Sequence, residues 1–353
     1  MHRRSFIHSL GAGLSAPLIY QDNSQAQPAQ AAYRRLLKPA HLKPGDTVGL
    51  ITPATPVANP ESLQTVARTV EYFGLRAKWG KNVGKKAGYF GNPVEGRLED
   101  LHEMFRDPVV RGVLAISGGY GASQLLDRID YDLINKNPKV FIGYSDITAL
   151  HLAIFKKTGL VTFHGPNLLS EFTDYTQQIF RKALFEDKPI GSITNPPETN
   201  KLRPKHRLRT IRSGKATGRL LGGNLTLIST TMGTPYEIDT RGAILMLEDI
   251  GEEPYRIDRM LTQLRLAGKL EQAAGIVFGE CVDCTPSEYK PFVAAGFSLG
   301  EALDNLLGGL KIPVLSGLTF GHTADQLTFP FGVTATLDAD AGILEISESG
   351  VTP

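Results

Sequence analysis

The sequence predicts an α/β fold in which helices cover a parallel sheet, because two kinds of pattern alternate along its first half. The strand-like patterns are the apolar runs TVGLITPA, GVLAIS, KVFIGYS and VTFHG. Between them lie stretches with the helical spacing of apolar residues, such as PESLQTVARTVEYF and GRLEDLHEMF. This alternation is typical of βαβ units, whose strands run parallel. We therefore expect a Rossmann- or flavodoxin-like N-terminal domain over residues 43–195.

The remainder of the chain predicts a linker and a smaller β-rich α/β domain. Residues 196–216 are basic and show no apolar period, which is typical of a solvated linker. Residues 217–353 contain short β patterns, helical patterns near 257–267 and 298–307, and the β-rich end TATLDADAGILEIS. We expect them to form the C-terminal domain, with a turn between two strands at residues 338–342.

The first 31 residues have the pattern of a targeting segment. Arg3 and Arg4 precede a modestly apolar stretch from Phe6 to Tyr20, and small-residue sites follow at 24–26 and 29–31. This order resembles a twin-arginine export signal, with a disordered basic tail as the alternative. The apolar stretch is too short and too rich in Gly, Ser and Pro to span a bilayer. The sequence thus predicts a periplasmic protein without stable membrane insertion.

Charge and motif content argue against several function classes. Lys plus Arg number 38 and Asp plus Glu number 36, so the net charge of +2 predicts no nucleic-acid partner. The glycine turn at 118–121 lacks both the GxGxxG spacing and the Lys-Ser/Thr of a phosphate-binding loop, so we expect no cofactor. His102-Glu103 is not followed by a second histidine at metalloprotease spacing, and we expect no metal.

The two cysteines, Cys281 and Cys284, form a CxxC sequence after a strand-like run. Such a pair fits a redox centre, half of a zinc site or a local disulfide in an oxidising compartment. A structural zinc site needs four ligands, and the sequence has no second pair. We therefore favour two structural cysteines that are bridged at times.

Ser145 is the candidate nucleophile, because it lies where an apolar run turns directly into a helical pattern. In KVFIGYSDITALHLAIFK the serine follows the strand pattern, and a sharp turn there exposes the hydroxyl beside the positive end of a helix. Ile147 stands where the usual elbow has glycine. An ordinary helix N-cap is the alternative role for this serine.

A nucleophilic serine needs a base and a group that orients the base. The apolar run Ala243–Leu247 ends in the acids Glu248 and Asp249, and a later strand-like run ends in Gly321-His322. Acids at the end of a buried strand are costly unless they have a partner. The chain order serine, acid, histidine is that of α/β-hydrolases, although triads recur in several orders.

The motifs taken together resemble the LD-carboxypeptidase family of serine peptidases, known as S66, from about Lys43 onward. The segments that carry this resemblance are GGYG at 118–121, FIGYSDITAL, FHGP at 163–166, LGGNL at 221–225, LEDIGEEPYRIDRMLTQL and GLTFGH at 317–322. The resemblance implies a triad of Ser145, Glu248 and His322, with the backbone amides of Gly119 and Asp146 as oxyanion donors. Many relatives have arginine where this chain has Ser117, which leaves substrate preference open.

The resemblance also implies a substrate, a murein tetrapeptide that loses its terminal D-alanine, and an assembly, the homodimer. Two alternatives are a hydrolase of aminoacyl-nucleotide analogues of the microcin C immunity type and a non-catalytic wall-peptide binding module. The immunity relatives favour an aromatic residue in a second-domain loop, whereas the one tryptophan here, Trp79, lies in the first domain. His164 is a candidate for lining the substrate cleft, with a capping or packing role as its alternative.

Overall fold

The computed structural model describes residues 35–198, 200, 202, 204–286 and 296–353. The predicted export signal at 1–31 lies outside these residues. Within them the strands are β1 (Thr47–Ile51), β2 (Arg76–Trp79), β3 (Val110–Ala115), β4 (Val140–Gly143), β5 (Phe163–His164), β6 (Gly191–Ile193), β7 (Arg209–Arg212), β8 (Lys215–Asn224), β9 (Ala243–Ile250), β10 (Gly275–Val282), β11 (Val314–Leu318), β12 (Phe329–Pro330), β13 (Thr334–Asp338) and β14 (Ile343–Ile346). The α-helices are α1 (Pro60–Tyr72), α2 (Val94–Arg106), α3 (Tyr131–Lys136), α4 (Thr148–Thr158), α5 (Asp174–Leu184), α6 (Leu225–Thr230), α7 (Pro254–Leu266) and α8 (Leu299–Leu307).

The first sheet contains six strands in the order β12-β5-β4-β3-β1-β2. All its neighbouring strands are parallel except β12, which pairs antiparallel with β5. Long apolar side chains of α2 and α4 pack against one face of this sheet, with Phe105 and Phe141 fully buried between them. The predicted parallel sheet with covering helices is therefore confirmed.

The second sheet contains eight strands in the order β6-β14-β13-β8-β9-β10-β11-β7. Strands β8 to β11 are parallel, and the flanking strands are antiparallel. The central strand β9 is buried along all of its length except Ile250, as its unbroken apolar run predicts. The predicted second, β-rich part of the fold is confirmed.

The two sheets exchange strands across the predicted domain boundaries. β6 comes from the first predicted domain and joins the second sheet, whereas β12 comes from the last third of the chain and joins the first. One apolar cluster also runs without a break from Leu50 and Ile142 of the first sheet to Leu245 and Val277 of the second. The division into two domains stays a prediction.

The predicted linker is more ordered than its charge pattern suggests. Residues 209–212 form β7, which pairs antiparallel with β11 at the edge of the second sheet. Arg209 extends a guanidinium nitrogen to within 2.5 Å of the Asp304 carboxylate on α8. The alternation of charged with apolar or small residues in RTIR is that of an edge strand, which a count of basic residues does not show.

Two further features bear on the predictions made above. Cys281 and Cys284 are joined by a disulfide at the end of β10. In the part of the chain that the structure describes, no helix has the length and apolar character needed to cross a membrane.

Candidate active site

Ser145 lies at the corner between β4 and α4 with its backbone in the left-handed region. Its φ is 65°, and among the described residues other than glycine only Asp283 shares a positive φ. Such a conformation costs a residue with a Cβ about 1–2 kcal/mol, and strain of this kind clusters at functional sites. The residue that caps α4 is Ile147, with no side-chain capping bond. Ser145 is therefore not the N-cap of the helix, and its hydroxyl is directed elsewhere.

His322 connects the serine to an acid from a different sheet. Its Nε2 lies 3.0 Å from Ser145 Oγ, and its Nδ1 lies 2.8 Å from Glu248 Oε2. The preceding Gly321 has a φ of 87°, and a Cβ there would lie 2.2 Å from the Glu248 carboxylate. Glycine is thus required for the histidine loop to approach the acid this closely. The structure brings all three predicted triad residues into one hydrogen-bonded chain.

Glu248 is fully buried at the end of β9. Burial alone would raise the pKa of this carboxyl, but the neighbouring imidazoles of His164 and His322 outweigh it and lower the pKa to about 2. The carboxylate is consequently ionised at every pH at which the protein would work. An ionised carboxylate on Nδ1 fixes the imidazole tautomer that leaves Nε2 free to accept a proton.

Asp249, the second acid at this strand end, has a different set of partners. Its carboxylate accepts hydrogen bonds from the Asn224 amide, from the Thr226 hydroxyl and backbone N–H, and from the N–H of Ile250. Successive side chains of a strand point to opposite faces, so only one of two adjacent acids can face His322. The structure assigns that position to Glu248.

His164 lies beside the triad but is fully buried. Its Nε2 is 3.8 Å from Glu248 Oε1, and its ring stacks on Phe329 with centroids 4.8 Å apart. The structure thus places His164 next to Glu248, where its ring packs among aromatic side chains. A direct contact with substrate stays a prediction.

The glycine turn at 118–121 packs directly against the serine corner. A Cβ on Gly118 would lie 2.9 Å from the Cβ of Ser145, and one on Gly119 would lie 1.9 Å from Thr55 Oγ1. That threonine oxygen accepts the backbone N–H of Tyr120 at 3.0 Å, and the N–H of Thr55 donates to the Gly118 carbonyl. Thr55 therefore holds the turn in place, a role that the sequence analysis missed.

Asp146 ties the same turn to the corner from its other side. Its carboxylate accepts the backbone N–H of Ala122 at 2.7 Å and also bonds to the N–H of Gly121. Burial raises the pKa of Asp146 to about 6, although these amides and Arg97 offset part of the effect. Arg97 donates in turn to the Gly121 and Pro53 carbonyls. The backbone amides of Asp146 and Gly119 thus belong to two segments that are fastened together, and their oxyanion role stays a prediction.

The chemistry of this arrangement is that of a serine nucleophile with an adjacent base. A hydroxyl, an imidazole and an ionised carboxylate lie in hydrogen-bonded order, at the 2.6–3.2 Å heavy-atom spacing that proton transfer requires. Over the described ranges, no group of three or more His, Cys, Asp or Glu side chains is arranged to hold a metal ion.

Comparison with known proteins identifies relatives over most of the chain. A family model described as the LD-carboxypeptidase N-terminal domain matches residues 48–165, and one described as the LD-carboxypeptidase C-terminal domain matches residues 217–337. The probable murein peptide carboxypeptidase of Bacillus subtilis is 42% identical over 315 residues, which is 89% of this chain and 95% of that protein.

Two solved structures have the same fold. The microcin C7 self-immunity protein MccF in complex with aspartyl sulfamoyl adenosine gives a TM-score of 0.78 at 31% identity, over 90% of this chain and 100% of that one. The muramoyltetrapeptide carboxypeptidase of Oxalobacter formigenes gives a TM-score of 0.74 at 30% identity, over 87% of this chain and 100% of that one.

Proposed function

The chain belongs to the LD-carboxypeptidase family, and we propose that it removes the terminal D-alanine from murein tetrapeptides by acyl transfer to Ser145. The observation that carries the proposal is the hydrogen-bonded order of Ser145, His322 and Glu248. The relatives named murein peptide carboxypeptidase and muramoyltetrapeptide carboxypeptidase support the class of substrate.

In the proposed mechanism His322 acts first as a base and then as an acid. It takes the proton of Ser145 as the hydroxyl attacks the scissile carbonyl, while the ionised Glu248 stabilises the imidazolium that forms. The backbone amides of Gly119 and Asp146 stabilise the negative oxygen of the tetrahedral intermediate, an interaction worth about 3 kcal/mol per donor in serine hydrolases. The imidazolium then protonates the departing amine of D-alanine. Water, activated by the same imidazole, hydrolyses the acyl-enzyme.

The second candidate is hydrolysis of aminoacyl-nucleotide analogues, as in the immunity protein MccF. It is favoured by the TM-score of 0.78 to MccF in complex with aspartyl sulfamoyl adenosine. Against it stands the position of Trp79 on β2, which is the outermost strand of the first sheet and lies three places from β4, the strand that leads to Ser145. We therefore place the wall peptide first.

Location and assembly are proposed from the sequence alone. We propose that residues 1–31 direct export to the periplasm and that the mature protein is a homodimer. Replacement of Arg3 and Arg4 by lysine should retain the protein in the cytoplasm, as measured by cell fractionation. Export of the double-lysine protein at the native level would contradict the twin-arginine assignment.

The test of function offers three compounds to the purified protein and follows them by mass spectrometry. They are a murein tetrapeptide ending in D-alanine, the same peptide ending in L-alanine, and an aminoacyl sulfamoyl adenosine. Loss of one alanine from the D-alanine peptide alone, by the native protein and not by Ser145→Ala, is the expected result. Hydrolysis of the sulfamoyl adenosine alone would favour the second candidate, and a peptide that binds unchanged would favour a binding module.

A further inference from the structure

A second histidine–carboxylate cluster lies outside the triad, at the end of the predicted linker. His206 Nδ1 is 2.5 Å from Glu280 Oε1, and its Nε2 is 3.0 Å from Asp325 Oδ2. The histidine side chain is 9% exposed, and those of Glu280 and Asp325 are 16% and 21% exposed. The proposed mechanism uses none of the three residues.

Asp325 belongs to the loop that carries the catalytic histidine, three residues after His322. Its carboxylate accepts the Thr173 hydroxyl at 2.5 Å, and its backbone carbonyl accepts the Thr319 hydroxyl. The next residue along the chain, Gln326, donates its N–H to Thr176 Oγ1 at 2.8 Å. The loop is therefore held from the start of α5 on one side and from His206 on the other.

His206 is itself held by hydrogen bonds of its own backbone and by the bond of its side chain to Glu280 on β10. Its N–H donates to Glu198 Oε1 at 2.5 Å, and its carbonyl accepts the Asn195 side-chain amide at 3.1 Å. The same Asn195 also accepts the N–H of Thr319, just before the histidine loop. Glu280 is on β10, next to the disulfide-bonded Cys281. The imidazole thus joins the segment before β7, the end of β10 and the catalytic loop.

The ring is flanked by acceptors only. Ionised carboxylates cannot donate, so only the imidazolium, with a proton on each nitrogen, can bond to both. Tyr175 lies close to the same two carboxylates, and Glu198 accepts the backbone N–H of His206. Burial, together with the charges of Asp325 and Glu280, holds the pKa of Tyr175 well above its ordinary value, and its hydroxyl donates to the Thr194 carbonyl. Hydrogen bonds from an imidazolium to two partly buried carboxylates form a directional link.

We propose that His206 is a positioning residue for the reaction, which holds Asp325 and thereby sets the place of His322 between Ser145 and Glu248. This inference rests on the proposed catalytic role of the triad. Proton transfer depends steeply on the distance from Nε2 to Oγ, and a shift of about 1 Å in such a group costs up to about a hundredfold in rate.

The test compares His206→Gln, Asp325→Asn and the double variant with two controls. Glu280→Gln changes the other partner of the same ring, and His41→Gln repeats the substitution at a histidine that contacts Thr352. We expect kcat on the tetrapeptide to fall about tenfold in each of the first two variants, with KM within about twofold of native. The double variant should fall no further than either single one, because both break one link. Each control should stay within about threefold of native.

A second readout separates this proposal from the proposed substrate. A fluorophosphonate reacts with an activated serine without any need for peptide binding, so its rate of attachment to Ser145 reports the serine–histidine pair directly. We expect that rate to fall in parallel with kcat in variants that remain folded at the assay temperature. Native labelling rates in folded His206→Gln and Asp325→Asn would overturn the positioning role. If the native protein is labelled but leaves the tetrapeptide intact, the substrate is wrong while the labelling comparison still decides the role of His206.

Discussion

His322 and His206 are both bound through each ring nitrogen, and they differ in what the second nitrogen faces. His322 has a carboxylate on Nδ1 and the Ser145 hydroxyl on Nε2. His206 has a carboxylate on both nitrogens. A hydroxyl has a proton to give and a carboxylate has none, so only His322 is placed to act as a base. The two clusters show that the group on the second ring nitrogen decides whether a histidine–carboxylate pair can act as a base.

Burial separates the two clusters further. Glu248 is fully buried, whereas Glu280 and Asp325 retain part of their contact with solvent. A charge that lies far from water interacts more strongly with its neighbours. Loss of the Glu248 charge should therefore affect His322 more than loss of the Glu280 or Asp325 charge affects His206.

Among the changes that compare the two clusters, the same substitution at the two acids gives the largest expected effect. Glu248→Gln removes the charge that orients and stabilises the imidazolium of His322, so we expect kcat/KM on the tetrapeptide to fall about 10³-fold or more. Glu280→Gln should stay within about threefold of native, because Glu280 is on β10 and, among the described residues, has no direct bond to the loop that carries His322, whereas Asp325 belongs to that loop. Steady-state kinetics on both folded variants checks this. Equal losses of kcat/KM at the two positions would contradict the claim that only the Glu248 cluster takes part in proton transfer.

Asp146 allows a second comparison with Glu248, because both are buried acids of the site. The Asp146 carboxylate contacts backbone amides, whereas Glu248 contacts imidazoles. Its pKa is raised from 3.8 to about 6, so between these values the folded protein holds a proton that the unfolded chain has lost. Stability should accordingly fall as pH rises through this window, by at most about 3 kcal/mol. The measurement is the difference in unfolding free energy between native protein and Asp146→Asn, at pH 4 and pH 7.

An acid near the surface supplies the control of opposite sign. The backbone N–H of Ala341 lowers the pKa of Asp338, so its contribution is present above the pKa of the unfolded chain and is lost as pH falls. The difference between native protein and Asp338→Asn should thus rise with pH. A pH-independent difference for Asp146→Asn would contradict the burial argument.

The smallest expected effect concerns the backbone at Ser145. Its φ of 65° is available to glycine without a steric penalty, whereas alanine keeps the Cβ that serine has. We expect Ser145→Gly to be more stable than Ser145→Ala by about 1 kcal/mol, as measured by urea unfolding. At Ser213, where φ is not positive, the order should be reversed. Equal stabilities at position 145 would mean that the corner carries no strain.

Much of the fold was predictable because local patterns determine it. The apolar runs at 47–51, 110–115 and 140–143 are strands, and the stretches of helical spacing between and after them are found in α1, α2 and α4. The triad was reached in the same way, since each member lies at or just after the end of a strand, although Ser145 comes from the first sheet and Glu248 and His322 come from the second. The resemblance to a family then selected Glu248 over the adjacent Asp249.

Features that depend on distant contacts were not predictable. β12 is two residues long, and only its pairing with β5 makes it a strand. The left-handed backbone of Ser145 and the hydrogen bonds of Thr55 to the glycine turn depend on close packing between three segments. Such packing has no signature in the local sequence. His206 lay in a basic stretch that was expected to be solvated. Its two carboxylate partners are 74 and 119 residues away along the chain.

The most direct test of the account is the release of D-alanine from murein tetrapeptide by Ser145→Ala, with Ser213→Ala as the matched control. The account predicts that the folded Ser145→Ala protein releases D-alanine at least about 10⁴-fold more slowly than native, since the nucleophile is gone. Ser213→Ala should match the native rate. Release by Ser145→Ala within tenfold of native would show that another group performs the chemistry and would contradict the central claim.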